Sequence, residues 1–257
     1  MIRNFIEQLI FRWSRIPTWQ EAVQRVPEGT LTKYHMSDIE IGNLEWIEGW
    51  TKNYNKDKDP PFREGRPFDP ELSSLDNIST VGSLMILTQP KEAKTKDAYI
   101  QSNFTIKYGT VRSLIKLPKV PGAWSAFWLF DGLPEMDIFE HCGGWEDKIS
   151  VTHHWGYDYD NVPNPKGKKM TKRNARYNKK FRPRDNFYLY EVELSPYKIV
   201  YRINGIKVRT LKRHLSSGEN RVIFDVTKGD YCQSCFLKGI GRDAQMMIDF
   251  LEVYKIV

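Results

Sequence analysis

Seven consecutive residues, Pro134-Glu135-Met136-Asp137-Ile138-Phe139-Glu140, hold three carboxylates interleaved with three large apolar side chains. That mixture reads as a β-strand, whose side chains alternate between two faces. Glu135 and Asp137 then share a face, and Met136 and Ile138 point the other way into a core. Glu140 is out of phase, because five residues from Glu135 it falls on the core face. A lone carboxylate is costly there. One extra residue absorbed as a β-bulge returns Glu140 to the side of the other two. Glu135 and Glu140 are then about four strand steps apart, roughly 13 Å between Cα atoms at ~3.3 Å per residue. Leaning side chains bring the carboxyl groups to ~5 Å. At that separation one carboxylate attacks a sugar while the other protonates the leaving oxygen. The plain alternative is a polar strand face carrying solvated charges.

The flanks favour the chemical reading. Upstream runs Gly122-Ala123-Trp124-Ser125-Ala126-Phe127-Trp128-Leu129-Phe130. Trp124, Ala126 and Trp128 have one strand parity, so both indoles can face a single cleft, where flat rings stack on pyranose faces. Gly-x-Trp-x-Ala-Phe-Trp followed by Glu-x-Asp-x-x-Glu resembles glycoside hydrolase family 16. The bulged spacing is like that of the family's laminarinases, agarases and carrageenases. Its lichenases and xyloglucan transglycosylases usually lack the extra residue. Three further stretches carry the resemblance across residues 31–257: Tyr99 to Thr105 with Tyr108-Gly109, Val192 to Ile199 with Asn204-Gly205, and Ile248 to Tyr254.

The resemblance implies a curved β-jelly roll, a sandwich of two antiparallel sheets whose concave face carries an open polysaccharide cleft. It makes Glu135 the nucleophile and Glu140 the general acid, later the general base for water. Asp137 lies between them and tunes Glu135. The physical demands agree, since two nearby negative charges help keep an acid protonated. Thr152-His153-His154-Trp155-Gly156 is similar to the family's next strand. Aligning its glycine selects His154 as the imidazole facing the cleft, and His153 has the opposite parity. Trp124 and Trp128 are expected to line subsites beside the cleaved bond, with Trp145 as a cleft wall or lid. After Tyr108-Gly109 the family often has Glu and Arg two residues apart; this chain has Arg112 and Leu114, leaving Arg112 as the sugar-binding candidate. Leu194 stands where Trp is common. Asp249 matches the position of a structural calcium ligand, with carbonyl oxygens to supply the rest of the shell. Catalysis itself requires no cofactor.

Composition sets the bounds. With 257 residues, 40% hydrophobic and 13% aromatic, the chain can fill one large β domain and keep aromatics for a cleft. Ten Lys or Arg and no acid lie between Lys166 and Arg184, more than the whole net charge of +7. A cationic segment next to a cleft suits sulfate or carboxylate groups on an anionic polysaccharide such as a sulfated galactan, or is a solvated loop. Nucleic acid is disfavoured, because only Tyr177 and Phe181 are aromatic within it. Cys142, Cys232 and Cys235 are too few, and odd in number, for a disulfide-built domain, and Cys232-Gln-Ser-Cys235 lacks the second pair of a zinc knuckle. No run is long enough to span a membrane. Glu7 and Arg12 interrupt the N-terminal apolar stretch, unlike a secretory signal.

Residues 1–30 form a helical arm in this reading. Ile2, Phe5, Ile6, Leu9, Ile10 and Trp13 recur at helical spacing, giving an apolar face that either packs on the body, the favoured reading, or serves as an attachment arm. Thr18 caps a second short helix to about Arg25. Residues 31–257 form the all-β domain. Strands are expected at 82–87, 99–107, 111–117, 151–155, 188–194, 198–203, 206–211, 221–227 and 246–256, with a hairpin at Asn204-Gly205. The expectation is a monomeric, endo-acting retaining glycosidase cutting β-1,3-glucan or an anionic galactan. The competing readings are a non-catalytic carbohydrate-binding or virion-attachment protein on the same fold, and a transglycosylase. Acting on an extracellular substrate without a visible export signal would suit a phage-encoded depolymerase released by lysis.

Overall fold

The structure, a computed structural model, describes residues 2–35, 46–48, 75–91, 97–130, 134–155, 170–171, 174–216, 218–228 and 241–256. Among the described residues, two short α-helices lead into sixteen strands. The helices are α1 (Ile2–Trp13) and α2 (Trp19–Val23). The strands are β1 (Thr30–His35), β2 (Trp46–Glu48), β3 (Ile78–Val81), β4 (Leu84–Gln89), β5 (Ala98–Ile106), β6 (Gly109–Lys116), β7 (Ala123–Phe130) and β8 (Glu135–Cys142). They continue with β9 (Lys148–Trp155), β10 (Met170–Thr171), β11 (Asn174–Tyr177), β12 (Tyr188–Leu194), β13 (Ile199–Ile203), β14 (Ile206–Leu211), β15 (Asn220–Lys228) and β16 (Ala244–Lys255).

They assemble two antiparallel sheets. The first runs β14-β13-β12-β6-β16-β4-β3, with β1 on β16; the second runs β10-β9-β8-β7-β15-β5-β2, with β11 on β9. Alternation fills the space between them. Val111 and Ile115 of the first sheet meet Phe127, Phe139, Val222 and Phe224 of the second in one core. Phe127 and Phe224 stack at 4.6 Å, and Phe139 reaches across to Tyr190 at 4.6 Å. This is the jelly-roll sandwich that the sequence led us to expect. The Asn204-Gly205 hairpin has positive φ at both residues (44° and 77°), the backbone of a tight two-residue turn between twisted strands. Gly109 opens β6 at φ 132°, where a Cβ would sit 1.8 Å from the Tyr254 carbonyl oxygen, so only glycine fits.

The helices cover the first sheet and one end of the sandwich. Thr18 caps α2 through a capping box with Glu21. The helix then lays Ala22 on Leu114, Leu189 and Phe250, on the outer face of the first sheet. That placement overturns the sugar-binding expectation for Arg112. It shares the outer face with Leu114 and is sealed beneath the N-terminal segment. Its guanidinium donates to Glu252 Oε2 at 2.7 Å, the Arg25 carbonyl at 2.7 Å and the Tyr254 hydroxyl at 2.9 Å. It is a structural arginine on the side of the sandwich away from β8.

Helix α1 also departs from expectation. It packs on β14 and β11, as a helix docked on the sandwich should. The face it buries is the opposite one. Phe11 is fully enclosed, and Glu7 accepts hydrogen bonds from the Thr210 amide (3.0 Å) and hydroxyl (2.7 Å). Phe5, Ile6, Leu9, Ile10 and Trp13 remain exposed.

Candidate active site

Strand β8 sets the geometry. Against β7 it pairs Phe139 with Phe127 and then Asp137 with Trp128, so Ile138 is the extra residue. Against β9 the register also slips, from Asp137 opposite Thr152 to Glu140 opposite Ser150. Ile138 and Phe139 both enter the core, beside Met136. Glu135, Asp137 and Glu140 are thereby delivered to the other face of the second sheet. The bulge read from the spacing is present, and Glu140 points away from the interior.

The neighbouring strands supply partners in rows. Gln101, Ile223, Trp128, Asp137 and Thr152 lie side by side across five strands, and Tyr99, Asp225, Ala126, Glu140 and Ser150 form the adjacent row. His154 pairs with Glu135. Its Nε2 lies 3.2 Å from Asp137 Oδ2 and 3.6 Å from Glu135 Oε1. The ligand-type atoms of Glu135, Asp137 and His154 fall within 4.8 Å of one another. The Thr152 hydroxyl donates to Glu140 Oε2. Glu135 keeps partial exposure, whereas Asp137 and Glu140 are 3% and 7% exposed. One carboxylate is thus open to a substrate while the two others are held on the sheet.

Aromatic rings bracket the carboxylates. Trp128 clusters with Tyr99 and Phe130, edge-on to Tyr99 at 6.3 Å. Trp124 clusters with Cys142 and meets Trp145 edge-on at 5.7 Å. Both β7 indoles are on the carboxylate face as their parity required, but each is 3% exposed. Trp145 is the half-buried outer ring, with the Lys148 ammonium 4.6 Å from its centre. His153 takes the opposite parity, as expected, and bonds the His214 carbonyl at 2.9 Å through Nε2; Trp155 stacks between the two histidines.

Three site residues escaped the sequence reading. Thr152 and Tyr99 had parity as their only signal. Asp225 sits in Val222-Ile223-Phe224-Asp225-Val226, where one acid interrupts an apolar strand. It is 4% exposed, and its Oδ1 has no hydrogen-bond partner among the described residues. Burial first, then the charges of Asp97, Asp137 and Glu140, push its carboxyl well above the usual carboxylate range. It holds its proton more firmly than an ordinary carboxyl, one small residue, Ala126, away from Glu140 in the row.

Other expected residues fall elsewhere. Asp249 lies half-buried at a bulge in β16, outside the carboxylate and histidine trio described above. In the basic segment, Lys166 to Lys169, Lys172 and Arg173 lie outside the described residues. Arg176 is buried, with its Nε donating to the Val208 carbonyl. Arg184 bonds the Gly143 carbonyl at 3.0 Å and lies 3.5 Å from Glu146. Cys142 is in a disulfide; Cys232 and Cys235 lie outside the described residues.

Paired glutamates on an outer sheet face, flanked by indoles, are the groups that glycoside hydrolysis calls for. Residues 71–233 match the model of glycosyl hydrolases family 16, and the chain belongs to that family. It is a glycosyl hydrolase. Among solved structures it is similar to the laminarinase catalytic domain of Thermotoga maritima MSB8, with a TM-score of 0.66 and 18% identity over 90% of this chain and 99% of that one. It is also similar to a β-1,3-1,4-glucanase (lichenase) from a mouse hindgut metagenome, with a TM-score of 0.65 and 14% identity over 88% and 100%. A family 16 enzyme of the Bacteroides ovatus mixed-linkage glucan locus matches with a TM-score of 0.64 and 16% identity over 86% and 99%. At these identities the likeness is one of fold. No curated protein matches the chain.

Proposed function

We propose that this protein is an endo-acting, retaining β-glucanase that cleaves β-1,3 or mixed-linkage glucan by double displacement. The observation that carries the reading is the bulged strand β8, which sets Glu135, Asp137 and Glu140 on one open sheet face. Glu135, the most accessible of the three, attacks the anomeric carbon. Glu140, held by the Thr152 hydroxyl, protonates the leaving oxygen and then deprotonates the incoming water. Asp137 and His154 fix the orientation and charge of Glu135. The similar laminarinase and lichenase folds support a glucan substrate. The basic segment gives weaker support to a charged one, because Arg176 and Arg184 are tied to the protein's own carbonyl groups.

The test is product release from laminarin, mixed-linkage glucan, agar, porphyran and carrageenan. Wild type should release oligosaccharides from a glucan with retained β-configuration, and Glu135→Gln should lower turnover by about four orders of magnitude or more, as loss of a nucleophile does. Binding without release would restore the non-catalytic reading. Products longer than the starting chains would indicate transglycosylation. Activity confined to sulfated galactan, and falling steeply with salt, would restore the anionic substrate. The disulfide at Cys142 supports action in an oxidising, extracellular setting. For Asp249 the reading is a structural calcium ion, ligated by its carboxylate and backbone carbonyls and remote from the chemistry. Melting in EDTA should then fall below melting in calcium, with turnover at low temperature unchanged.

A further inference from the structure

We infer that α1 is a docking element for an anionic lipid surface. Successive residues of a helix turn by about 100°, so Phe5, Leu9, Trp13, Ile6 and Ile10 occupy one arc of roughly 140°. All five are exposed, Phe5 at 62% and Trp13 at 74%. A soluble helix normally turns such an arc inward; this one turns inward Glu7, its only acid, together with Phe11. The helix is held in that orientation at its middle and at its C-terminal end. Glu7 is fixed by Thr210, and the Asn178 side chain bonds the carbonyl groups of Phe11 and Ser14. The apolar arc is therefore presented by the fold and is no product of fraying.

Charge selects the occupant. The Arg12 guanidinium lies 5.3 Å from the centre of the Trp13 ring at the edge of the arc. Lys179 and Lys180 follow Asn178 at the C-terminal end of α1, and Lys207 lies on β14, against which the helix packs; all three are exposed. Among the described residues none of these lysines has a carboxylate partner. A second copy of this face would set these cations against their own kind. Lipid phosphates and carboxylates oppose them with the complementary sign, while the arc enters the acyl boundary and Trp13 occupies the headgroup level. At twelve residues the helix is too short to cross a bilayer, so it would lie flat.

The experiment is flotation of the full chain with phosphatidylcholine vesicles containing phosphatidylserine, against phosphatidylcholine alone. The free protein's mass is measured by light scattering in parallel. Trp13→Glu and Ile10→Glu are exposed changes whose circular dichroism and glucan turnover should match wild type. We expect flotation that needs phosphatidylserine, weakens with salt, and drops at least tenfold in both variants. No flotation of wild type, or flotation that the variants leave unchanged, overturns the inference. A dimer that Trp13→Glu returns to monomer, with no flotation, overturns it in favour of self-association.

Discussion

Asp225 shows how much a single side chain can hide from the sequence. Its neighbours in the row are Tyr99 and Ala126, and Ala126 is all that separates its strand position from Glu140. A carboxyl group that gives up its proton only at raised pH is slower to add a further negative charge beside Asp137 and Glu140. Its raised pKa has a stability consequence with a definite sign. The unfolded chain loses this proton near pH 4, the folded chain only at higher pH, so stability falls as pH rises between those points. Asp225→Asn removes the effect. It should melt higher than wild type at pH 7 to 8, by several degrees in a calorimetric scan, and equal wild type near pH 4. A variant that melts lower at both values would show that the carboxyl is ionised and structurally needed. The three carboxylates of β8 were legible because their spacing broke alternation and so demanded an explanation. Asp225 and Arg112 were not, since neither parity nor composition says which outer face a strand presents or what covers it.

At the scale of elements, the bulge in β8 was readable because Met136, Ile138 and Phe139 all had to be buried while three acids had to be spared. Its function can be tested by removal. Without Ile138 the strand would alternate regularly, with Glu135, Asp137 and the following glutamate still on one face. The deletion should therefore keep measurable turnover while losing about 2–4 kcal/mol for a missing core side chain, read from urea unfolding. Complete loss of turnover in a folded deletion variant would show that the bulge sets the acid's reach as well as its side. Helix α1 gives the opposite lesson. Its apolar periodicity identified the helix, yet the face turned to the body was decided by hydrogen bonds from Thr210 to Glu7, a long-range pairing that no local pattern carries.

Across the whole molecule, buried titratable groups combine into one pH profile. His141 is enclosed against the Trp145 carbonyl, and burial lowers its pKa to about 3. His153 is enclosed against the His214 carbonyl near Arg209, and burial lowers its pKa to about 4. Unfolded imidazoles take up protons near pH 6.5, so each site loses stability as pH falls from 6.5 toward its folded value. The slope is about 1.4 kcal/mol per pH unit for each proton. Asp225 acts in the reverse sense, weakening the fold as pH rises above about 4. Between pH 4 and 6.5 the two histidines outweigh the single acid. Burial pushes the Glu252 carboxyl up, but Arg112 and Lys33 outweigh it and hold the group below its ordinary range, so that carboxylate withdraws its support only at still lower pH. Denaturant unfolding across pH should thus show stability falling as pH drops below 6.5, at a net slope of at least about one proton, the two imidazoles less the one carboxyl. His153→Gln, which can keep a donor toward the His214 carbonyl, should flatten that acid limb by about one proton's worth. An acid limb unchanged in that variant would mean that His153 is already protonated in the folded protein, and the enclosed, neutral interior behind β9 would have to be abandoned.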